Sequence, residues 1–264
     1  MGDTLRFNLP PVREVTLSIL IQPLAKLQTL DLAPLRVEWQ NEYPILEEVA
    51  PLSPWGPDGS DSVQFVRSGR SWPMPLCSFS TSGGGRKIMF QHDRFALSWS
   101  FEDAGNKYPG FEALMTEICD KFSRFETLVK ESSGISVKPM RVDVEYVNHL
   151  AGIPAHGAMA GILSGWKEES RFPFRNPDYC GFRVHYCESE ENPLISVLVG
   201  VDSIVGDTDE SEIPSSSSLT LSAEADISES ANHNELLASA HDVLVTAFRD
   251  VTSEKMRREW GEGQ

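Results

Sequence analysis

Between Val184 and Phe248 the chain has no lysine or arginine, yet that segment holds thirteen aspartates and glutamates. It supplies most of the formal net charge of −16, and the rest of the 264-residue chain is near balance. A phosphate backbone is repelled by such a surface, so direct nucleic-acid binding through this half is disfavoured. Two readings of the acid stay open: a face that meets a basic protein, or plain solubility. Cysteine is scarce. Cys77, Cys119, Cys180 and Cys187 form no CxxC pair, so free thiols in a reducing compartment are expected and no zinc site is completed. The six histidines never fall two to four residues apart, and no metal or cofactor is expected. No apolar run approaches the ~18 residues of a membrane span. The opening "MGDTLRFNLPPVREV" lacks an apolar signal core, so a cytoplasmic location is expected.

What is present suits a globular fold. A hydrophobic fraction of 40% and a charged fraction of 23% suffice for one large domain or two fused halves. "REVTLSILIQ" (13–22) alternates Val15, Leu17, Ile19 and Ile21, a strand. Leu32, Leu35 and Trp39 follow at helical spacing. "PLSPWGPDGSD" (51–61) reads as a loop, "SVQFVR" (62–67) as a short strand, and 68–86 as an irregular insert ending in a glycine triplet. The clearest helix lies in 106–134, with Pro109 at its start, Gly134 at its stop and an apolar stripe from Phe111 through Val129. Strands at 136–150, 182–188, 193–202 and 218–228 follow, with a weak helix at 151–166 between the first two. The last strand should turn Leu219, Leu221, Ala223, Ala225 and Ile227 inward, and Glu224 and Asp226 to solvent. A final helix starts near Asn232, whose Asn-x-x-Glu pattern suggests a capping box. A short one starts at Thr252 or Ser253.

The stretch "IMFQHDRFALSW" (88–99) puts a histidine, an aspartate and an arginine in a row. Ile88 and Phe90 share one parity, whereas Phe95, Leu97 and Trp99 share the other. A single strand keeps one parity, so the chain must reverse between Gln91 and Arg94. This predicts a hairpin with His92 and Asp93 at an exposed tip, and Trp99 packed beneath the long helix. Strand neighbours point to opposite faces, so the cluster does not converge as acid and base on one atom. His185 and Cys187 could share a strand face as a Cys–His pair, but no third orienting group is evident. "SGGGRK" (82–87) lacks the frame of a phosphate loop.

Residues 13–134 read strand, helix, three strands, helix, and residues 136–260 repeat that order. The expected fold is therefore α+β, with half-repeats at 1–135 and 136–264 in one compact unit. Together they would form a curved antiparallel sheet of about eight strands, with the long helices on one face. The order resembles the saddle of TATA-box-binding-protein-like folds, an analogy of topology that carries no function.

"PPVREV", "QHDRFALSW", a "YP" opening the long helix, "YVN" ending a strand and "AFRDVTSEKMRREWG" occur in that order. The pattern resembles a sporadically distributed bacterial family of uncharacterised proteins, over nearly the whole chain. The resemblance brings no catalytic residue. Its patchy distribution implies mobile or defence-associated genes. The expectation is a non-catalytic binding protein, such as an antitoxin, immunity factor or defence-system component, engaging a basic protein partner; a homodimer is compatible with it. The candidate contact residues are Asp207, Asp209, Glu210 and Glu212 of the acidic loop 205–218, with Glu224 and Asp226. The alternative is a small-ligand-binding or enzymatic domain using the cleft between sheet and helices.

Overall fold

A computed structural model describes residues 7–24, 27–53, 74–101, 107–162, 181–187, 195–204, 216–228 and 232–262. The fold is α+β. Nine strands, β1 (Val12–Ile21), β2 (Ile45–Val49), β3 (Leu76–Ser80), β4 (Arg86–Gln91), β5 (Arg94–Ser100), β6 (Pro139–Leu150), β7 (Gly181–Cys187), β8 (Ile195–Ser203) and β9 (Ser217–Asp226), form one antiparallel sheet. Its order is β2-β3-β4-β5-β1-β6-β9-β8-β7. The α-helices are α1 (Ala33–Trp39), α2 (Phe111–Ser133), α3 (Ala155–Ile162), α4 (His233–Val251) and α5 (Glu254–Glu259). Two compact units share these elements. One comprises Met1–Val15, Glu145–Glu224 and Ser239–Gln264, the other Thr16–Val144 and Ala225–Ala238.

In the Thr16–Val144 unit the core is aromatic. Leu17, Ile19 and Ile21 on β1 are fully buried, as their alternation requires. Leu114, Ile118, Phe122, Phe125 and Val129 form the buried stripe of α2. Phe90 and Phe95 stack across the hairpin at 6.2 Å, and Phe122 and Phe125 of α2 lie 5.4 and 5.3 Å from Phe95. Gly134 closes α2 in the left-handed region (φ 71°), where its N–H bonds to the carbonyl of Lys130. The helix begins at Phe111 behind Gly110 (φ 92°), so Pro109 stands just outside it.

Two local expectations change here. β2 falls in a stretch that shows no strand pattern, because all five of its residues are exposed. β3 falls inside the expected irregular insert. All five of its residues are buried, so it offers no alternation to read. The strand expected at 62–67 lies outside the described residues.

In the other unit, Leu219, Leu221 and Ala223 turn inward on β9, with Val197, Val199 and Val201 on β8. The buried Asn148 donates from Nδ2 to the Leu219 carbonyl. Tyr146 stacks on His241 of α4 at 5.8 Å, with its hydroxyl 3.2 Å from Nδ1. Ser253 caps α5 through Met256; Asn232, in the Ala225–Ala238 part of the Thr16–Val144 unit, accepts from the Asn234 N–H through its side chain at the start of α4. Phe7 packs edge-on against Phe248 and Trp260.

Candidate protein-interaction site

The reversal after β4 occurs where the parity switch places it, with Gln91 paired to Arg94 across a two-residue turn. Its environment is the opposite of the one expected. His92 is 4% exposed and Asp93 is fully buried. The turn is covered because its backbone serves as a dock: the His92 carbonyl accepts from Leu24 N–H at 2.8 Å and the Asp93 carbonyl from Ile21 N–H at 2.9 Å. The Asp93 carboxylate accepts from Gln91 Nε2 at 2.8 Å and from Arg94 Nε at 3.1 Å. Burial lowers the pKa of His92 while Asp93 pulls it the other way. The cluster is a closed internal network and presents no acid–base pair to a substrate.

The network reaches outward through the two residues that bracket the turn. The Gln91 amide accepts from Leu52 N–H at 2.9 Å and donates to the Leu52 carbonyl at 3.2 Å. Arg94 donates to the Ser53 carbonyl at 2.7 Å. The chain just after β2 is thus fastened to the hairpin by side chains. The chain just before β2 is fastened too: Arg36 donates to the Pro44 carbonyl at 2.8 Å, and Tyr43 is fully buried. β2 is held at both ends.

Between those anchors, β2 pairs with β3 on one side in a regular register, from Ile45 opposite Ser80 to Val49 opposite Leu76. Among the described residues it ends the sheet. Ile45 and Val49 are 42% and 49% exposed, and Glu47 and Glu48 are exposed with them. Glu48 stands opposite Cys77, and its charge adds to the burial that pushes the Cys77 thiol up to about 11. Burial and that charge both disfavour its thiolate.

Beside β2, α1 and α2 carry a charged group. Glu117 accepts from the Tyr43 hydroxyl and from Arg86 Nη1, the latter at 3.0 Å. Burial, reinforced by the Glu42 carboxylate and opposed by Lys121, pushes Glu117 up to about 7. Lys121 pairs with Glu42 at 2.7 Å and lies over the Trp39 and Tyr43 rings at 5.7 and 5.6 Å. Arg124 grips Glu38 through two nitrogens, and that hydrogen bonding holds the Glu38 carboxyl below its usual range. Perturbed carboxylates cluster at functional sites as well as in structural ion-pair networks. Here both carboxylate oxygens of Glu117 are already satisfied by protein donors.

Of the acidic residues read from the sequence, Asp207, Asp209, Glu210 and Glu212 lie outside the described residues. Asp226 is exposed as expected and pairs with Arg141 at 2.6 Å; Glu224 is half-buried. His185 is exposed on β7, and the Cys187 side chain lies outside the described ones. The glycine triplet forms the β3–β4 turn, where Gly84 takes φ 71° and bonds to the Thr81 carbonyl. Among the described residues no three metal-binding side chains converge, and no helix is long and apolar enough to cross a membrane. Glu47, Glu48 and Glu117 were missed by the sequence reading. The only signal for the first two was a Pro-bounded "ILEEV" between a helix and a loop. No protein-family model and no curated protein matches the chain.

Proposed function

We propose that the protein is a non-catalytic binding protein whose partner is a basic protein, in the manner of an antitoxin, immunity factor or defence-system component. The observation that carries this is the charge distribution: −16 overall, with no cation from Val184 through Phe248. Such a field speeds encounter with a basic surface and repels nucleic acid. The test is co-purification from the native host at about 50 and about 500 mM salt. A basic partner retained at low salt and released at high salt is the expected outcome. A partner whose retention ignores salt would overturn the reading.

We also propose that the chain is a duplication, with halves 1–135 and 136–264. The shared order of strand, helix, strands and helix supports it in outline, although four described strands, β2–β5, stand between α1 and α2 where three were expected, against three, β7–β9, between α3 and α4. So does the strand order, in which β1 and β6 are neighbours and each is flanked by the last strand of its own half, β5 or β9. The likeness to the TATA-binding-protein-like saddle is an analogy of topology. An experimental structure whose halves do not superpose would end the proposal.

A second reading, a ligand-binding or enzymatic domain, draws on Glu117. Its pKa of about 7, between a tyrosine hydroxyl and an arginine, is the tuning expected of a general acid or base.

A further inference from the structure

The geometry points to β2 as the docking strand: the outer edge of Ile45–Val49 accepts an extended, basic segment of the partner as an added strand. The inference rests on the binding reading above and adds a contact strand that lies outside the Val184–Phe248 segment.

Several observations converge. An edge strand presents a row of unpaired backbone N–H and C=O groups, and proteins usually blunt it with shortness, charged side chains, bulges, proline or a cover; the charges on this five-residue strand are Glu47 and Glu48, which oppose a like-charged strand and not a basic one. β2 pairs with β3 in a regular register without a bulge, contains neither proline nor lysine, and has all five residues exposed. It does not depend on a partner for its shape. Leu52 and Ser53 are tied to Gln91 and Arg94 beyond one end, and Pro44 to Arg36 before the other. A strand already ordered loses little entropy when a ligand adds to it.

The side chains select the occupant. Along β2, Ile45, Glu47 and Val49 share one face and Leu46 and Glu48 the other. An added strand therefore meets an acidic residue flanked by apolar ones on one face, and an apolar residue beside an acidic one on the other. Opposite-charge cross-strand pairs stabilise and like-charge pairs oppose pairing. Two copies of β2 paired antiparallel about their centre would set Glu47 against Glu47 and Leu46 against Glu48. A second copy of the chain is thus disfavoured. The match is a segment alternating lysine or arginine with β-branched apolar residues, bound by backbone pairing with side-chain selection.

The test uses the full chain and two synthetic twelve-residue peptides of equal charge, one alternating lysine with valine, the other lysine with glycine. Binding is read by fluorescence anisotropy, and the site by amide hydrogen exchange. The Lys–Val peptide is expected to bind at least tenfold more tightly than the Lys–Gly peptide and to slow exchange at Ile45–Val49. Glu47→Lys/Glu48→Lys, both exposed and so compatible with folding, is expected to lose at least tenfold for the Lys–Val peptide and to gain a Glu–Val peptide. Equal affinity for the two basic peptides, with no protection of β2, would overturn the docking strand while leaving a general acidic surface. Failure of both peptides, together with a basic host partner recovered on the Glu47→Lys/Glu48→Lys chain as on the parent, would also overturn it and leave the binding reading standing. Failure of both peptides with no host partner at low salt would remove both. Concentration-dependent dimerisation abolished by the same double variant would assign the edge to a second copy instead.

Discussion

Replacing His92–Asp93 with Asn-Gly tests whether the QHDR turn is a loop tip or a clip. Asn-Gly is the favoured pair of two-residue hairpins because type I′ turns need positive φ at both positions. No non-glycine residue among those described has positive φ, so this turn is not type I′ and the pair has no conformational advantage here. The change removes the Asp93 carboxylate from Gln91 and Arg94. Deleting one member of a buried ion pair costs ~3–5 kcal/mol. Arg94 keeps 19% side-chain exposure and its bond to Ser53, which lowers the expected loss to about 2–4 kcal/mol. Glycine's extra unfolded-state freedom adds roughly 0.5–1 kcal/mol. For a chain of this size each kcal/mol lowers Tm by about 2–4 °C, so a fall of roughly 5–20 °C is expected. Thermal melts give the global effect. Amide exchange at Leu52 gives the local one, because its N–H bonds to the Gln91 side chain. A variant that melts within about 1 °C of the parent, with Leu52 exchange unchanged, would refute the clip.

Three further outcomes follow from buried groups. Trp99→Ala should cost ~3–5 kcal/mol by urea melt, because the ring is 1% exposed. Trp99→Phe should cost far less, roughly 1 kcal/mol, since the indole N–H finds no hydrogen-bond partner among the described residues and its loss removes a desolvated donor. His241 is held neutral by burial, down to about 4, so stability is fully present above its unfolded value near 6.5 and is lost as pH falls from there through 4. An imidazole titration followed by NMR that sits near 6.5 would remove this account. Glu117 acts with the opposite sign. Its folded pKa of about 7 lies above the unfolded 4.5, so its contribution is complete below 4.5 and lost as pH rises through 7. With 13% side-chain exposure, the effect is on the order of 2 kcal/mol. The two windows overlap and offset each other, so Glu117→Gln should make the parent's shallow acid profile visibly steeper between pH 6.5 and 4.5. A profile with the parent's slope would contradict the assignment.

Where burial falls on one face, the sequence shows it. β1, β6, β9 and the stripe of α2 alternate or recur with the period of their element, and the parity switch at Gln91–Arg94 places the hairpin turn to the residue. β2 and β3 carry no such signal, because one is exposed on both faces and the other buried on both, and a period needs two unlike faces. The candidate edge was illegible for the same reason. The burial of Asp93 was hidden in a different way. Its polar neighbours suggested solvent, whereas the residues that cover the turn and dock on its carbonyls, Ile21 and Leu24, lie about seventy positions earlier in the chain. The Glu117 group is likewise assembled from the α1–β2 connection, β4 and α2, segments distant in sequence, and no local pattern announces it.

The Gln91 side chain imitates a piece of backbone. Its amide offers one acceptor and one donor to Leu52, the pairing that another residue of a strand would offer. A chain leaving a sheet must otherwise find partners for its last N–H and C=O within whatever follows. Here that debt is settled by residue 52, inside the fixed scaffold. The far end of β2 is thereby tied off three residues after Val49, so truncating Gln91 to alanine should let the Leu52 amide exchange while the β2–β3 register stays as it is.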